Sequence, residues 1–310
     1  MKNLQKMFRL WFIAIFFLPA TTFSQTHYPV SILPIPDFHV QALKGTYQKL
    51  EKISYKKGQI KIAFWGTVNA YEMMKYRVKG LMVDEYPTMT DATLKEGCEL
   101  AHKYNVASVC VKPYAVPDAV TWLADSEVAV GTVIGFPHGN SSISIKVKET
   151  EQALAEGATE IDMVVNIGKV LSGQWNYVKD EMFSILEPVR KYNGLLKVIF
   201  ENDYLPNDEE KIALCEICSE LKVDFAKTST GYGFVKGSDG KYGYKGATEH
   251  DLKVMRKHCH PDVQIKAAGG VRTLEDALKV RGWGVTRIGA SATAAILDGA
   301  VQELGPYDNY

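Results

Sequence analysis

The chain has 310 residues, 46% of them hydrophobic and 23% charged, the proportions of an ordinary globular protein. Its 36 basic residues are matched by 36 acidic ones, and no basic stripe marks a face for nucleic acid, which sets a polyanion-binding function aside. A length near 300 accommodates two domains, yet α/β barrels commonly run to about 250 residues as one.

In chain order, residues 1–26 stand apart. Lys2, Lys6 and Arg9 precede an uncharged run from Leu10 to Leu18, followed by Pro19, Ala20 and small polar residues. That is the order of a secretory signal peptide, and the run is short for a bilayer span. An uncleaved anchor or a misjudged start is the alternative. Residues 27–78, with "SILPIPDF" and "LKGTYQKLEKISYKKG", read as an N-terminal extension to which no function is assigned.

From residue 79 to about 303, β-rich runs alternate with helical patterns. The strands are expected at Gly80–Val83, Ala107–Val111, Val128–Ile134, Glu160–Asn166, Leu195–Glu201, Asp224–Thr228, Val263–Ala267 and Thr286–Gly289. Between them lie helix-periodic segments such as "DATLKEGCELAHKY", "KVKETEQALAEG", "WNYVKDEMFSILEPVRKY", "TEHDLKVMRKHC" and "TLEDALKVRG", with Asp91, Asn207, Thr248 and Thr273 placed like N-caps. Eight strands alternating with helices predict a closed parallel (β/α)8 TIM barrel carrying an N-terminal extension. An open doubly wound sheet is second, weakened because no GxGxxG follows an early strand. Residues 304–310 are expected to form a C-terminal tail ending in Tyr310.

The five cysteines, Cys98, Cys110, Cys215, Cys218 and Cys259, are odd in number and irregularly spaced, unlike a disulfide framework. Cys215 and Cys218 fall on a helix-periodic segment and read as packing residues. "HCH" at 258–260 lacks a second ligand cluster, so no metal site is expected.

In such barrels the chemistry collects at the C-terminal ends of the strands. Here those ends carry Cys110; "GFPHGN"; Asp162, Asn166 and Lys169; Lys227; Lys266 with Gly269, Gly270 and Arg272; and Gly289 with Ser291. Two ammonium groups about 4 Å apart, at an effective dielectric near 20, repel by roughly 4 kcal/mol. That equals about three pKa units, enough to leave one amine neutral near physiological pH. A neutral lysine adds to carbonyls, and the resulting imine is an electron sink. An aspartate nearby holds the second lysine charged and relays protons through water. Lys227, Lys266 and Asp162 are therefore the candidate catalytic set. Lysines at strand ends also snorkel, but these two lie on successive strands and each leads into a Gly- or hydroxyl-rich loop. The loops "TSTG", "AGGVR" and "GAS" after strands six, seven and eight sit where barrels often hold a phosphate on backbone N–H groups. A phosphorylated aldehyde or ketose is the natural substrate class.

With these motifs in view, the chain resembles the deoxyribose-phosphate aldolase family, metal-independent class I aldolases on an eightfold barrel. The resemblance runs from about Met82 to Ala300 and rests on "ASVCVKP", "GTVIGFPHG", "EIDMVVNIG", "SGQWNYV", "KVIFEN", "DFAKTSTG", "IKAAGGVRTLEDAL" and "RIGAS". It implies Lys227 as the Schiff-base lysine, Lys266 as the lysine that lowers its pKa, and Asp162 as the proton-relay aspartate. It implies that Cys110 lines the pocket and that Gly231, Gly269, Gly270, Val271, Arg272, Gly289 and Ser291 cradle the phosphate. The implied reaction is reversible cleavage of 2-deoxy-D-ribose 5-phosphate to D-glyceraldehyde 3-phosphate and acetaldehyde. No cofactor, metal or nucleic acid takes part; the partner is a small sugar phosphate, and the chain is expected to form a homo-oligomer.

Three features depart from the family pattern. Strand one keeps Asp84, a substrate-hydroxyl candidate, but follows it with Glu85 and Tyr86. The loop "GYGFVKGSDGKYGYKGAT" after strand six is long and is expected over the mouth. The signal-like start argues for export to the periplasm or cell surface, whereas the resemblance implies a cytoplasmic enzyme. A Schiff-base aldolase for another aldehyde, and an exported non-catalytic sugar-phosphate-binding barrel, are the alternative readings.

Overall fold

The computed structural model of the protein describes residues 81–82, 89–237 and 240–304. The signal-like segment, the extension, Asp84 and the tail beyond residue 304 lie outside the described residues.

Eight parallel strands form one sheet: β1 (Leu81–Met82), β2 (Ser108–Val111), β3 (Ala129–Ile134), β4 (Glu160–Val164), β5 (Leu195–Ile199), β6 (Phe225–Lys227), β9 (Gln264–Ala268) and β10 (Arg287–Gly289), hydrogen-bonded in that order. Between β6 and β9 a two-stranded antiparallel hairpin, β7 (Val235–Lys236) and β8 (Tyr242–Gly243), lies within the connecting loop. The sheet curls until β10 comes beside β1, and the Arg287 side chain on β10 reaches Ser108 on β2 and Glu160 on β4. This is the (β/α)8 barrel expected from the alternation. Its strands are buried on both faces, which is why they read as short Val- and Ile-rich runs rather than as polar–apolar alternations.

The helices are α1 (Asp91–Lys103), α2 (Val116–Trp122), α3 (Ile143–Ala155), α4 (Ile167–Leu171), α5 (Trp175–Lys191), α6 (Asp208–Leu221), α7 (Glu249–His258), α8 (Leu274–Gly282) and α9 (Thr293–Leu304). Thr248 and Thr273 cap α7 and α8 as expected; Thr273 forms a full capping box with Asp276. Asp91 does not cap α1. Thr90 does, accepting the Thr93 amide, while Asp91 occupies the first turn and complements the helix dipole. Asn207 stands at the N-cap of α6 but spends its side-chain amide on Glu210 Oε1.

The apolar core lies between strands and helices. Ile161, Met163, Leu196 and Val198 are fully buried, and α5 presents Val178, Met182, Ile185, Leu186 and Val189 at helical spacing as its buried face. Each such side chain contributes about 1.5–3 kcal/mol through burial. Cys215 and Cys218 are buried on α6, and Cys215 lies close enough to donate weakly to the Met255 carbonyl at 3.8 Å; these are packing residues, as their spacing suggests.

One polar interaction within this layer sets the barrel mouth. Lys146 of α3 and Glu181 of α5 are fully buried and paired at 2.7 Å. Lys146 Nζ also donates to the Val164 carbonyl at 2.7 Å, and Glu181 Oε2 accepts the Asn166 amide at 2.9 Å. Glu149 Oε2 accepts the Gly135 amide at 2.7 Å. Two helices thereby fix where β3 and β4 end.

Candidate active site

Strand alternation turns every second side chain into the barrel. Ser108 and Cys110 on β2, Glu160 and Asp162 on β4, Lys197 on β5, Lys227 on β6, Lys266 on β9 and Arg287 on β10 share this interior, all buried except the partly buried Arg287. They form a continuous polar column. Arg287 Nη1 donates to Ser108 Oγ at 3.0 Å and to Glu160 Oε1 at 3.1 Å, and its guanidinium lies 5.3 Å from the centroid of Phe225. Lys197 Nζ stands between the two carboxylates, 2.8 Å from Glu160 Oε2 and 2.6 Å from Asp162 Oδ1. Above it, Lys227 and Lys266 both donate to Asp162 Oδ2, at 2.8 and 2.7 Å. Sharing one acceptor keeps these two nitrogens within about twice a hydrogen-bond length of each other. The cross-strand register places Lys227 directly beside Lys266.

Four cationic groups thus face two carboxylates in an interior shielded from water, and an unbalanced charge there is costly. The consequences differ by position. Burial opposes ionisation of Asp162, but Lys197, Lys227 and Lys266 together hold its carboxyl well below the usual range. Burial likewise opposes ionisation of Glu160, and Lys197 and Arg287 bring it down to about 2. Lys197 is held above the ordinary lysine value because Asp162 and Glu160 outweigh its burial. Lys266 goes the other way: burial, with Lys227 and Lys197 adding to it, outweighs Asp162 and lowers it to about 8. The amine excess is relieved at the top of the column.

The structure brings Lys227, Lys266 and Asp162 into direct contact, and Cys110 is near enough to act electrostatically on Lys266. Gly231 follows β6 and Gly269 with Gly270 follows β9, while Gly289 ends the adjacent β10 and Ser291 comes two residues later. Gly231, Gly269 and Gly270 have φ of 87°, 88° and 87°, left-handed values that a side chain would strain. Val271 is buried. Arg272 is exposed, and its amide donates to Asp276 Oδ2 at 3.3 Å, so that its backbone serves the start of α8.

Sequence reasoning missed four residues. Glu160 lies two positions before Asp162, hence on the same face; Lys197 interrupts "LLKVIF" and Arg287 opens "RIGAS". In each, a charge at an inward position of an apolar strand was the available signal. The fourth, Glu201, follows β5 in a left-handed conformation (φ 58°, ψ 61°), which directs its buried side chain to the β6 loop. Both its oxygens accept the Thr230 amide, and the Thr230 hydroxyl donates to Oε2. Thr230 Oγ1 in turn accepts the Tyr232 amide at 3.0 Å. Burial raises Glu201 to about 7, against its Thr230 hydrogen bonds. Beside it, the buried Ser229 Oγ has no hydrogen-bond partner among the described residues. Over the mouth, the β3 and β6 loops meet where Phe136 packs edge-on against Tyr232 at 5.6 Å.

A parallel α/β barrel with several buried amines gathered on one carboxylate in its interior, one of them at the C-terminal end of its strand, is a scaffold for lysine-centred carbonyl chemistry. Residues 73–297 match the family model of the DeoC/LacD family aldolases. The chain belongs to this family. It is 50% identical over 219 residues to a deoxyribose-phosphate aldolase of Rhodopirellula baltica, covering 71% of this chain and 86% of the relative. A deoxyribose-phosphate aldolase of Caldanaerobacter subterraneus subsp. tengcongensis is 44% identical over 213 residues, 68% of this chain and 87% of the relative. Among solved structures, QR15, an aldolase, superposes with a TM-score of 0.66 at 30% identity, over 75% of this chain and 97% of the other.

Proposed function

We propose that the chain is a class I aldolase that reversibly cleaves 2-deoxy-D-ribose 5-phosphate to D-glyceraldehyde 3-phosphate and acetaldehyde, with Lys227 as the Schiff-base nucleophile. The observation that carries this reading is that Lys227 and Lys266 converge on one oxygen of a fully buried Asp162. Charge crowding of that kind keeps one amine available as a nucleophile at neutral pH. Assignment of the nucleophile to Lys227 rather than Lys266 rests on the "KTSTG" motif.

Neutral Lys227 Nζ adds to C1 of the open-chain sugar, and loss of water gives an iminium. Because the products have two and three carbons, the bond that breaks is C2–C3. The C3 hydroxyl gives up its proton, C3 becomes the aldehyde carbon of glyceraldehyde 3-phosphate, and the C2–C3 electrons pass into the iminium as an enamine. Protonation at C2 and hydrolysis release acetaldehyde and restore Lys227. Asp162, with Lys266 and the water it orients, carries these protons. Lys197, itself held charged by Asp162 and Glu160, keeps Asp162 ionised. Gly231, Gly269, Gly270, Val271, Arg272, Gly289 and Ser291 hold the phosphate, chiefly through backbone N–H groups. Cys110 lines the pocket, and the Ser229 hydroxyl is available to a substrate oxygen.

Borohydride reduction of the protein with 2-deoxyribose 5-phosphate, followed by peptide mass mapping, tests the reading. An adduct on Lys227 is expected; one on Lys266 reverses the two lysines, and the absence of any adduct with ligand still bound favours a non-catalytic barrel. Self-association, as the resemblance implies, is read from sedimentation against the 34.5 kDa chain mass.

A further inference from the structure

The connection from β6 to α7, residues 228–248, is much longer than the two to six residues usual for a βα loop, and its interior is ordered by specific contacts. The β7–β8 hairpin carries Phe234 and Tyr242 stacked at 4.6 Å. Both arms of the connection are fastened to one short turn, Asn202–Tyr204, that follows β5. On the outgoing arm, the Phe234 amide donates to the Tyr204 hydroxyl at 3.0 Å. On the return arm, Asp203 Oδ1 accepts the Lys245 amide at 2.6 Å and Oδ2 accepts the Gly246 amide at 3.0 Å. Gly233, on the outgoing arm, is pressed between that turn and the return arm, where a Cβ would meet Asp203 at 3.2 Å and Tyr244 at 3.3 Å.

The return arm lies on the loop after β9. The Ala247 amide donates to the Gly269 carbonyl at 3.2 Å. A Cβ on Gly246 would approach that carbonyl oxygen to 2.8 Å, so the two backbones touch as closely as glycine permits. A Cβ on Gly269 would sit 3.2 Å from Tyr244 Cε2. The Tyr244 ring, exposed on its outer side, therefore stands against Gly269 itself.

We propose that Tyr244 is a specificity-determining residue that walls the phosphate end of the substrate, and that Asp203 is the positioning residue that holds it there. The inference rests on the aldolase reading above, in which Gly269 and Gly270 cradle the phosphate. Successive backbone N–H groups in a tight turn can form a concave anion site, and the positive φ of Gly269 and Gly270 marks such a turn after β9. A ring on its rim excludes water from those hydrogen bonds and limits the group that enters to the width of a phosphate monoester. The contact is made only at the end of the substrate remote from the reacting carbons, so it acts on binding and not on bond cleavage.

The test compares wild type, Y244A, Y244F, D203A and D203N with 2-deoxyribose 5-phosphate and with 2-deoxyribose. Y244A is expected to raise KM for the phosphorylated sugar about tenfold, the equivalent of one lost contact, with kcat within about twofold. KM for the unphosphorylated sugar stays unchanged. Y244F retains the wild-type values because the ring is retained. D203A reproduces the Y244A pattern, and D203N recovers part of it because its amide oxygen still accepts one backbone N–H. A KM for the phosphorylated sugar that Y244A leaves at the wild-type value overturns the inference and leaves the aldolase reading standing. A Y244A variant that loses kcat equally on both sugars overturns it too, by making the residue merely structural. If wild type turns over both sugars with equal KM, the cradle reading fails and takes the inference with it.

Discussion

Arg287 and Glu160 face each other across the barrel, joined at 3.1 Å although β10 and β4 are not neighbours in the sheet. This bond, together with the reach of Arg287 to Ser108, fills the interior beneath Lys197 with charge rather than with aliphatic side chains. Removing one partner of a buried pair leaves the other uncompensated, at a cost of roughly 3–5 kcal/mol. Arg287→Met is therefore expected to destabilise the fold by an amount at the low end of that range, since Lys197 remains beside Glu160. Urea unfolding measures it; a change below about 1 kcal/mol would show the pair to be dispensable.

Lys197 is the lever on the pH profile. It lowers Lys266 through charge repulsion, so Lys197→Met should raise the Lys266 pKa from its value of about 8. The low-pH limb of the kcat/KM profile, which reports the coupled amines as a pair, then moves to higher pH. An unshifted limb with reduced turnover would mean that Lys197 acts on packing alone.

Glu201 gives a pH effect of definite sign on stability. Burial raises its folded pKa to about 7 from an ordinary value of 4.5. The folded state then binds more protons than the unfolded chain between those values, and this group's contribution falls as pH rises through that window. Glu201→Gln should flatten the decline between pH 4.5 and 7 when stability is measured by denaturant at each pH. A slope identical to wild type would assign the decline to other groups.

How much of this was legible beforehand differs from residue to residue. The barrel was, because β-branched runs alternating with capped helices leave few other solutions. Lys227 and Lys266 were legible as charges in apolar strands that lead into Gly- or hydroxyl-rich loops, and Asp162 as a carboxylate in the strand "EIDMVV"; in the structure Asp162 and Lys266 lie mid-strand and only Lys227 ends its strand. Lys197, Glu160 and Arg287 were not singled out, because each lies inside or at the start of a strand, where a lone charge in an apolar run carries no hint of a partner on another strand. Glu201 depends on a left-handed backbone that no local sequence signal announces. The short helix α2 carries Pro117 in its first turn, where a proline is tolerated although it breaks a helix interior. At Asp91 an acidic first-turn residue and a capping one look alike in a string; the Thr90 side chain, which accepts the Thr93 amide, decides between them.

The pair between Lys146 and Glu181 is predicted to matter for the mouth as well as for stability. Burial pushes Lys146 down and Glu181 up, each held against the other's attraction. Glu181→Leu would strand an amine and release the Asn166 amide, and is expected to cost about 3–5 kcal/mol in thermal or urea unfolding. The double variant Lys146→Met, Glu181→Leu should recover much of that loss. Non-recovery would mean that the backbone bonds to Val164 and Asn166, rather than the charges, hold the helices in place.

Because Asp203 and Tyr204 fasten both arms of the β6–α7 connection, the segment beyond those fasteners is a closed loop whose ends are already together. Lengthening a loop with fixed ends adds only about 0.6 kcal/mol per doubling. The segment between β7 and β8 is thus a place where new sequence can be tried at small thermodynamic expense, while the nucleophile strand and the glycines beneath keep their geometry. Variation in what the barrel accepts has a natural address there, separate from the machinery that makes and breaks the carbon–carbon bond.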